Sequence, residues 1–370
     1  MGFLSKLFGR KTPEGSKQPP SAVPAQAPEG EAEEPKAARG PRPDEPFRLE
    51  EVAQYPVEQR QILGEETLFG CEQVLGQVKE HFEGSLENLP AFPSLAMQLF
   101  DLLQRPDVEV GELVKLIGRD PSTTAQLLKV ANSSFYSTYE PAKSVRDAVM
   151  RIGIRETANI AALAVTGPLF DPEVESLQKA FASLWERFWR HSVICASATG
   201  AIANEWHRGD PMQCFLAGML HDIGKTFALR SFGALVVMGG APNLGEDQVE
   251  YLIESLHAEL GARVARHWKL PPAVTRACEE HHVVDLDASP ENREVHLVRV
   301  VSALDEFSCN PRYRASLPTE LDRSVQAMQL QPRHLRILAK ALREQAEKNP
   351  AFLGREKAKP PAGPAAAAAG

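Results

Sequence analysis

Between Leu89 and Glu347, apolar residues recur at helical spacing over nearly the whole chain. The stretch SLAMQLFDLL places them at i, i+3, i+4 and i+7, one face of an amphipathic helix, and VGELVKLIGRD continues the pattern. PSTTAQLLKVAN follows, with Asp120 suited to the N-cap and Pro121 to the first helical position. SVRDAVMRIG carries Ser144 as a cap and Gly153 as a stop, and IRETANIAALAV runs on from it. A second helical block begins near Leu177. LQKAFASLWERFWRHSVICASATGAIANEW reads as one long helix or two abutting ones, and PMQCFLAGMLHDIGKTFALRSF as the next. EDQVEYLIESLHAELGARVARHW, PPAVTRACEEHH, EVHLVRVVSALDEFS and QPRHLRILAKALREQAEK complete the block, with KLPP as a turn. ALVVMG is the nearest thing to a strand, and it is short and set in helical surroundings. The pattern predicts an all-α protein.

The ends read differently. Residues 1–11, MGFLSKLFGRK, form a short amphipathic peptide, suited to weak contact with a membrane surface or a partner; a disordered start is the plainer reading. Residues 12–46 are rich in Pro, Glu, Ala and Gly and cannot bury enough apolar area to offset chain entropy, so a disordered linker is expected. Residues 47–88 are expected to hold a lead-in helix, 316–348 a closing helical segment and 349–370 a disordered tail.

The 370 residues carry a net charge of −8, which argues against general nucleic-acid binding. The helix pair around RDPSTTAQLLKVANSSFYS is therefore read as a surface for a partner protein rather than a DNA reader. No apolar run approaches the roughly 20 residues needed to cross a bilayer. The five cysteines, Cys71, Cys195, Cys214, Cys278 and Cys309, include no C-x-x-C pair, as expected of reduced, partly buried thiols in a cytoplasmic protein.

The chemistry concentrates in AGMLHDIGK, where His221 and Asp222 interrupt an apolar helical run. On one continuous helix, adjacent side chains diverge by about 100°. The two can therefore clasp one centre only if other groups arrive from neighbouring helices. Lys225 follows His221 by four residues and shares its face. His191 lies in the preceding long helix, His257 in the following one, His281 and His282 at the end of the next, and Asp305 in the apolar VVSALDEFS. Imidazoles with carboxylates suit Zn, Fe, Mn or Ni rather than Ca.

The order His, then His-Asp, then a distant Asp resembles the HD superfamily of metal-dependent phosphohydrolases. LPAFPSLAMQL, IGRDPSTTAQLLKVANSSFYS, FWRHSVICA, FLAGMLHDIGK, HAELGARVARHWKLP and EEHH together resemble, more closely, the HDOD domain of bacterial signalling proteins. The resemblance implies a two-lobed helical domain over 89–315, with a helical bundle at 89–168 and an HD-like lobe at 177–315. It implies a regulatory or scaffolding role in signal transduction, with a partner protein and a metal or nucleotide-type ligand. It also implies that His191, His221, Asp222 and Asp305 match a first metal position. His257, His281 and His282 match the second-metal positions of the related HD-GYP phosphodiesterases, and Lys225 their phosphate-facing lysine. The catalytic alternative is an active metal-dependent phosphohydrolase, with Asp222 bridging the metals and Lys225 neutralising developing charge. The chain departs from the HD-GYP pattern after His282, where VVDLDASPENREVH replaces a Gly-Tyr-Pro element.

Plainer readings stand beside these. The same residues would form a satisfied polar cluster if Asp222 and Asp305 accept from histidine or Lys225. His257 could pack on Glu254 three residues earlier, and His281-His282 could simply favour a helix C-terminus. His81, His207, His267, His296 and His334 read as surface or packing residues, and the four tryptophans as core.

Overall fold

The computed structural model describes residues 65–348, apart from 106, 137–139, 173–178, 180, 207–208, 241–243 and 310–316. The expectations for residues 1–46 and 349–370 lie outside the described residues. Every described element is helical. The lead-in helix α1 spans Glu65–Ser85. Helices α2 (Ser94–Gln104), α3 (Val110–Ile117), α4 (Pro121–Ala131), α5 (Val145–Ile152) and α6 (Ile154–Thr166) follow. From Ala182 to Trp206 the long helix is continuous and forms α7. Then come α8 (Pro211–Leu220), α9 (Ile223–Val237), α10 (Glu246–His267), α11 (Pro272–Glu280) and α12 (Arg293–Cys309). The closing segment supplies α13 (Leu317–Ala327) and α14 (Pro332–Lys348).

Local chemistry sets these boundaries. The Asp120 carboxylate accepts from the backbone N–H groups of Ser122 and Thr123, with Pro121 filling the first turn. Ser144 and Asp147 form a reciprocal capping box at the start of α5. Asp210 caps α8 as Asp120 caps α4, its carboxylate accepting from the N–H groups of Met212 and Gln213. ALVVMG begins inside α9 and runs past its end rather than forming a strand; Val236, Val237 and Met238 are exposed.

Two apolar cores organise the packing. The larger runs from Val78 and Phe82 of α1 through Leu99, Leu127 and Ile160 to Phe215, Phe227 and Leu260. The smaller joins Ile194, Ala198 and Ile202 of α7 to Leu297, Val301, Leu335 and Leu338. Helix α1 packs on α9 and α10, and is tied to α10 by Lys79–Glu259 at 2.7 Å and Arg263–Glu83 at 3.0 Å. Trp185 and Trp189 are buried, as expected, while Trp268 is partly buried and donates its indole N–H to Pro90 O. No helix among the described residues is long and apolar enough to cross a membrane.

Candidate metal centre

The sequence pattern suggests one helix through His221 and Asp222, but the structure breaks it there. Helix α8 ends at Leu220 and α9 begins at Ile223, so the pair forms the joint. Asp222 has φ −100° and ψ 10°, outside the helical basin. The turn releases the two side chains from the divergence a continuous helix imposes, and both face the same interior point.

Two close helix crossings bring the other groups to that point. A Cβ on Gly224 would lie 1.9 Å from His257 O and 2.6 Å from Gly261 N, so only glycine allows α9 to approach α10 this closely. A Cβ on Gly218 would lie 2.6 Å from Cys195 O, which fixes the α8–α7 approach in the same way.

All the expected site residues meet there. His191 Nε2 lies 3.3 Å from His221 Nε2, and each is 3.6 Å from Asp222 Oδ2. Asp222 Oδ1 lies 3.3 Å from His281 Nε2 and 3.5 Å from His257 Nε2. His257 Nε2 is 3.2 Å from His281 Nε2 and 3.1 Å from His282 Nε2. Lys225 Nζ pairs with Asp222 Oδ2 and Glu254 Oε1, each at 2.9 Å. Asp305 enters through His191, whose Nδ1 donates to Asp305 Oδ2 at 2.7 Å. The Asp222 carboxylate lies within 3.6 Å of both histidine groups. His282 is the exposed member; the others are buried.

Three rings have their orientation set by main-chain carbonyls. His221 Nδ1 donates to Gly218 O at 3.0 Å, His257 Nδ1 to Glu254 O at 2.9 Å, and His281 Nδ1 to Ala277 O at 2.8 Å. This puts their protons on Nδ1 and their lone pairs on Nε2, facing inward. The reverse tautomer of His281 would give Asp222 a donor, but would turn a bare nitrogen onto the carbonyls of Ala277 and Cys278. His257 meets Glu254 as the plain reading expects, through the main chain and, at 3.5 Å, the carboxylate. Its other nitrogen still joins the cluster.

Burial disfavours charge on these rings, pushing His221 down to about 3, His257 down to about 4 and His281 well below its ordinary value. His191 differs: burial opposes its charge, but Cys195 and Asp305 outweigh burial and hold its pKa well above the ordinary value. Burial also opposes the Asp222 carboxylate, but the Lys225 ammonium keeps it well below its usual range.

A fully satisfied polar cluster therefore fails at one atom. Asp305 accepts from His191, and Asp222 Oδ2 pairs with Lys225. Asp222 Oδ1 is buried without a hydrogen bond, against imidazole nitrogens that carry lone pairs. A carboxylate oxygen among inward lone pairs fits a cation.

Three neighbours, Cys195, Ser302 and Glu306, were not singled out from sequence; a fourth, Glu254, was named only as a partner for His257. Cys195 lies one turn after His191, with Sγ 3.5 Å from His191 Nε2. The Ser302 hydroxyl lies 3.2 Å from the same nitrogen, and Glu306 Oε1 lies 3.8 Å from His191 Nδ1. Glu254 binds Lys225 as well as His257. Only Cys195, at i+4 on the same helix face as a proposed ligand, carried a signal that could have found it.

The described residues thus form a helical fold in which histidines from separate helices gather around one aspartate. The HDOD domain model matches residues 89–284, and the chain belongs to the HDOD family. Among solved structures, it is similar to a protein of Shewanella amazonensis provisionally called a metal-dependent phosphohydrolase. That likeness is 23% identical with a TM-score of 0.55, covering 77% of this chain and 99% of the other. It is also similar to a protein of Marinobacter aquaeolei provisionally called a signal transduction protein, at 21% identity and TM-score 0.51, covering 80% of this chain and 67% of that one. Among curated proteins it is 23% identical over 211 residues, 56% of this chain, to an uncharacterised protein of Treponema pallidum. Over 158 residues, 42% of this chain, it is 27% identical to ribonuclease Y of Streptococcus sanguinis. The chain spans 39% of the first and 24% of the second.

Proposed function

We propose that this chain is a signal-transduction module whose HD-like helices hold divalent metal, and that the metal, alone or with a nucleotide-type ligand, biases its association with a partner protein. The observation that carries this reading is Asp222 Oδ1, a buried acceptor facing only inward lone pairs. His191, His221 and Asp222 Oδ2 would hold one ion. Asp222 Oδ1, His257, His281 and His282 would hold a second. The donor set suits Zn, Fe, Mn or Ni. Such ions, when bound, supply Lewis acidity toward phosphate oxygens. This chain's own residues orient the rings through main-chain carbonyls and keep Asp222 ionised through Lys225.

Lys225 favours regulation over hydrolysis. Its ammonium is engaged by Asp222 and Glu254, so it is not poised toward an incoming phosphate. Glu254 and Glu306 add negative charge to the more open side of the cluster, with side chains 26% and 16% exposed. The second reading, a metal-dependent phosphohydrolase, is favoured by Asp222 reaching both histidine groups, the arrangement of a bridging ligand.

Metal analysis of the full chain purified without added metal, beside a His221→Ala/Asp222→Ala double variant, separates these readings. Metal in the wild type and its loss in the variant is expected. Equal, near-zero metal in both would sink the cation reading. Phosphoester or cyclic-dinucleotide turnover that the variant abolishes would establish the enzyme in place of the regulator.

A further inference from the structure

Helix α1 carries a register that fixes where the chain enters the helix group. Its ion pairs with α10, Lys79–Glu259 and Glu83–Arg263, join residues with the same separation of 180 positions, so the two helices run parallel. Helix α9 runs the other way. Gly224, near its start, lies against His257 and Gly261 in the second half of α10, and Phe227 meets Phe82, near the end of α1, with ring centroids 6.4 Å apart. Carried back along α1, the register brings Cys71 level with Tyr251, and Glu65 level with Gly245, the N-cap of α10. The chain therefore enters α1 at the end of the group where α9 terminates.

That end is apolar and open. Val236, Val237 and Met238 follow one another at the C-terminus of α9 and are 40%, 62% and 64% exposed. Tyr251, in the second turn of α10, is 37% exposed. Single exposed apolar residues are ordinary, but three in succession, with a tyrosine on the neighbouring helix, make a docking surface. The patch continues, toward the entry end, the interface that Cys71, Val74, Val78 and Phe82 of α1 seal further along.

The residues just before α1 lie outside the described residues, but their sequence supplies an occupant. Val57, Ile62 and Leu63 stand in VEQRQILG, after Pro56. Only Gly64 separates Leu63 from α1, and two Cα–Cα steps of about 3.8 Å each keep Leu63 close to the entry end. A tethered occupant also holds a local concentration on the order of millimolar, which a second copy or a free partner would have to match.

We propose that residues 57–63 dock on this end of α9 and α10, with Ile62 and Leu63 covering Val236, Val237 and Met238. The segment extends the α1 interface along α10, the helix that carries Glu254 and His257.

The test is oxidation of the full chain by dilute peroxide, read methionine by methionine by mass spectrometry, because oxidation follows access to the sulfur. Met150, on α5 and 75% exposed, is the open reference. Met219, fully buried, reports that the fold is intact. In the wild type, Met238 is expected to oxidise several-fold more slowly than Met150. In Ile62→Asp/Leu63→Asp it is expected to oxidise as fast as Met150, while Met219 stays protected. Should that variant expose Met219, the milder Ile62→Ala/Leu63→Ala decides, with faster oxidation of Met238 than in the wild type expected. A wild-type Met238 as reactive as Met150 overturns the proposal without any variant. So does protection of Met238 that survives the substitutions; if that protection fades on dilution, a second copy is the occupant instead.

Discussion

Lys225 lies between two carboxylates, and its removal would leave Asp222 and Glu254 facing each other in a buried setting. Lys225→Met is therefore expected to destabilise metal-free protein by about 3 kcal/mol, the cost of stranding a buried charge. Added Zn(II) should restore part of that loss, because a cation at Asp222 replaces the ammonium. Denaturant unfolding with and without metal checks both parts, and a loss unaffected by metal would contradict the placement of the ion. At this scale the sequence was informative where a polar residue interrupted an apolar run. His191, His221, Asp222 and Asp305 stood out for that reason. Ser302 and Glu306 did not, because each lies where a polar residue is ordinary on a helix, and Glu254 showed only as a partner for His257, not for Lys225. What distinguishes them is the neighbour across the helix crossing, and periodicity along one helix carries no information about that.

Helix crossings and helix ends set the site at the next scale. Gly224→Ala would place a methyl group inside the backbone of α10, at His257 O and Gly261 N. Neither atom can rotate away, so α9 and α10 must separate. The expected cost is about 3 kcal/mol, and any bound metal should be lost because His257 leaves Asp222. Thermal unfolding and metal content measured on the same sample check this. Asp120→Ala tests the other kind of feature. Removing that cap should cost about 1 kcal/mol at neutral pH. The Asp120 carboxylate is held below its ordinary range, first by the Thr123 hydroxyl and then, against the effect of burial, by the N–H groups of Thr123 and Ser122. Its stabilisation is therefore complete above the unfolded value of about 3.9. It fades as pH falls through the lower folded value, so wild type and variant should converge in acid. A gap that widened in acid would contradict the cap's role. Asp120 and Ser144 were legible as caps because the signal is local: a short acceptor, then Pro or a second acidic residue. The break at His221–Asp222 was not, because the surrounding sequence is uniformly apolar and helical. Tertiary packing at Gly218 and Gly224 overrides that preference.

For the whole molecule, the helical class was readable from periodicity alone, and the HDOD resemblance from several motifs in order. The attachment of α1 to α9 and α10 was not, since its anchoring pairs, Lys79–Glu259 and Arg263–Glu83, join residues far apart in the chain. If metal binds only the folded state, a free concentration one hundred times Kd adds about 2.7 kcal/mol of stability. Chelation should lower the Tm of metal-loaded wild type accordingly and leave the His221→Ala/Asp222→Ala variant unmoved. Calorimetry with and without chelator checks this; equal shifts in both proteins would place the effect elsewhere. Helix α7 gives that coupling a direction. Leu184, Trp185, Phe188 and Val193 belong to the larger core, while Ile194, Cys195, Ala198 and Ile202 belong to the smaller. His191 lies where one helix serves as the party wall between two rooms. Were an ion to clamp that ring, it would restrain the one helix that the bundle and α13–α14 both pack on, without any segment having to travel between them.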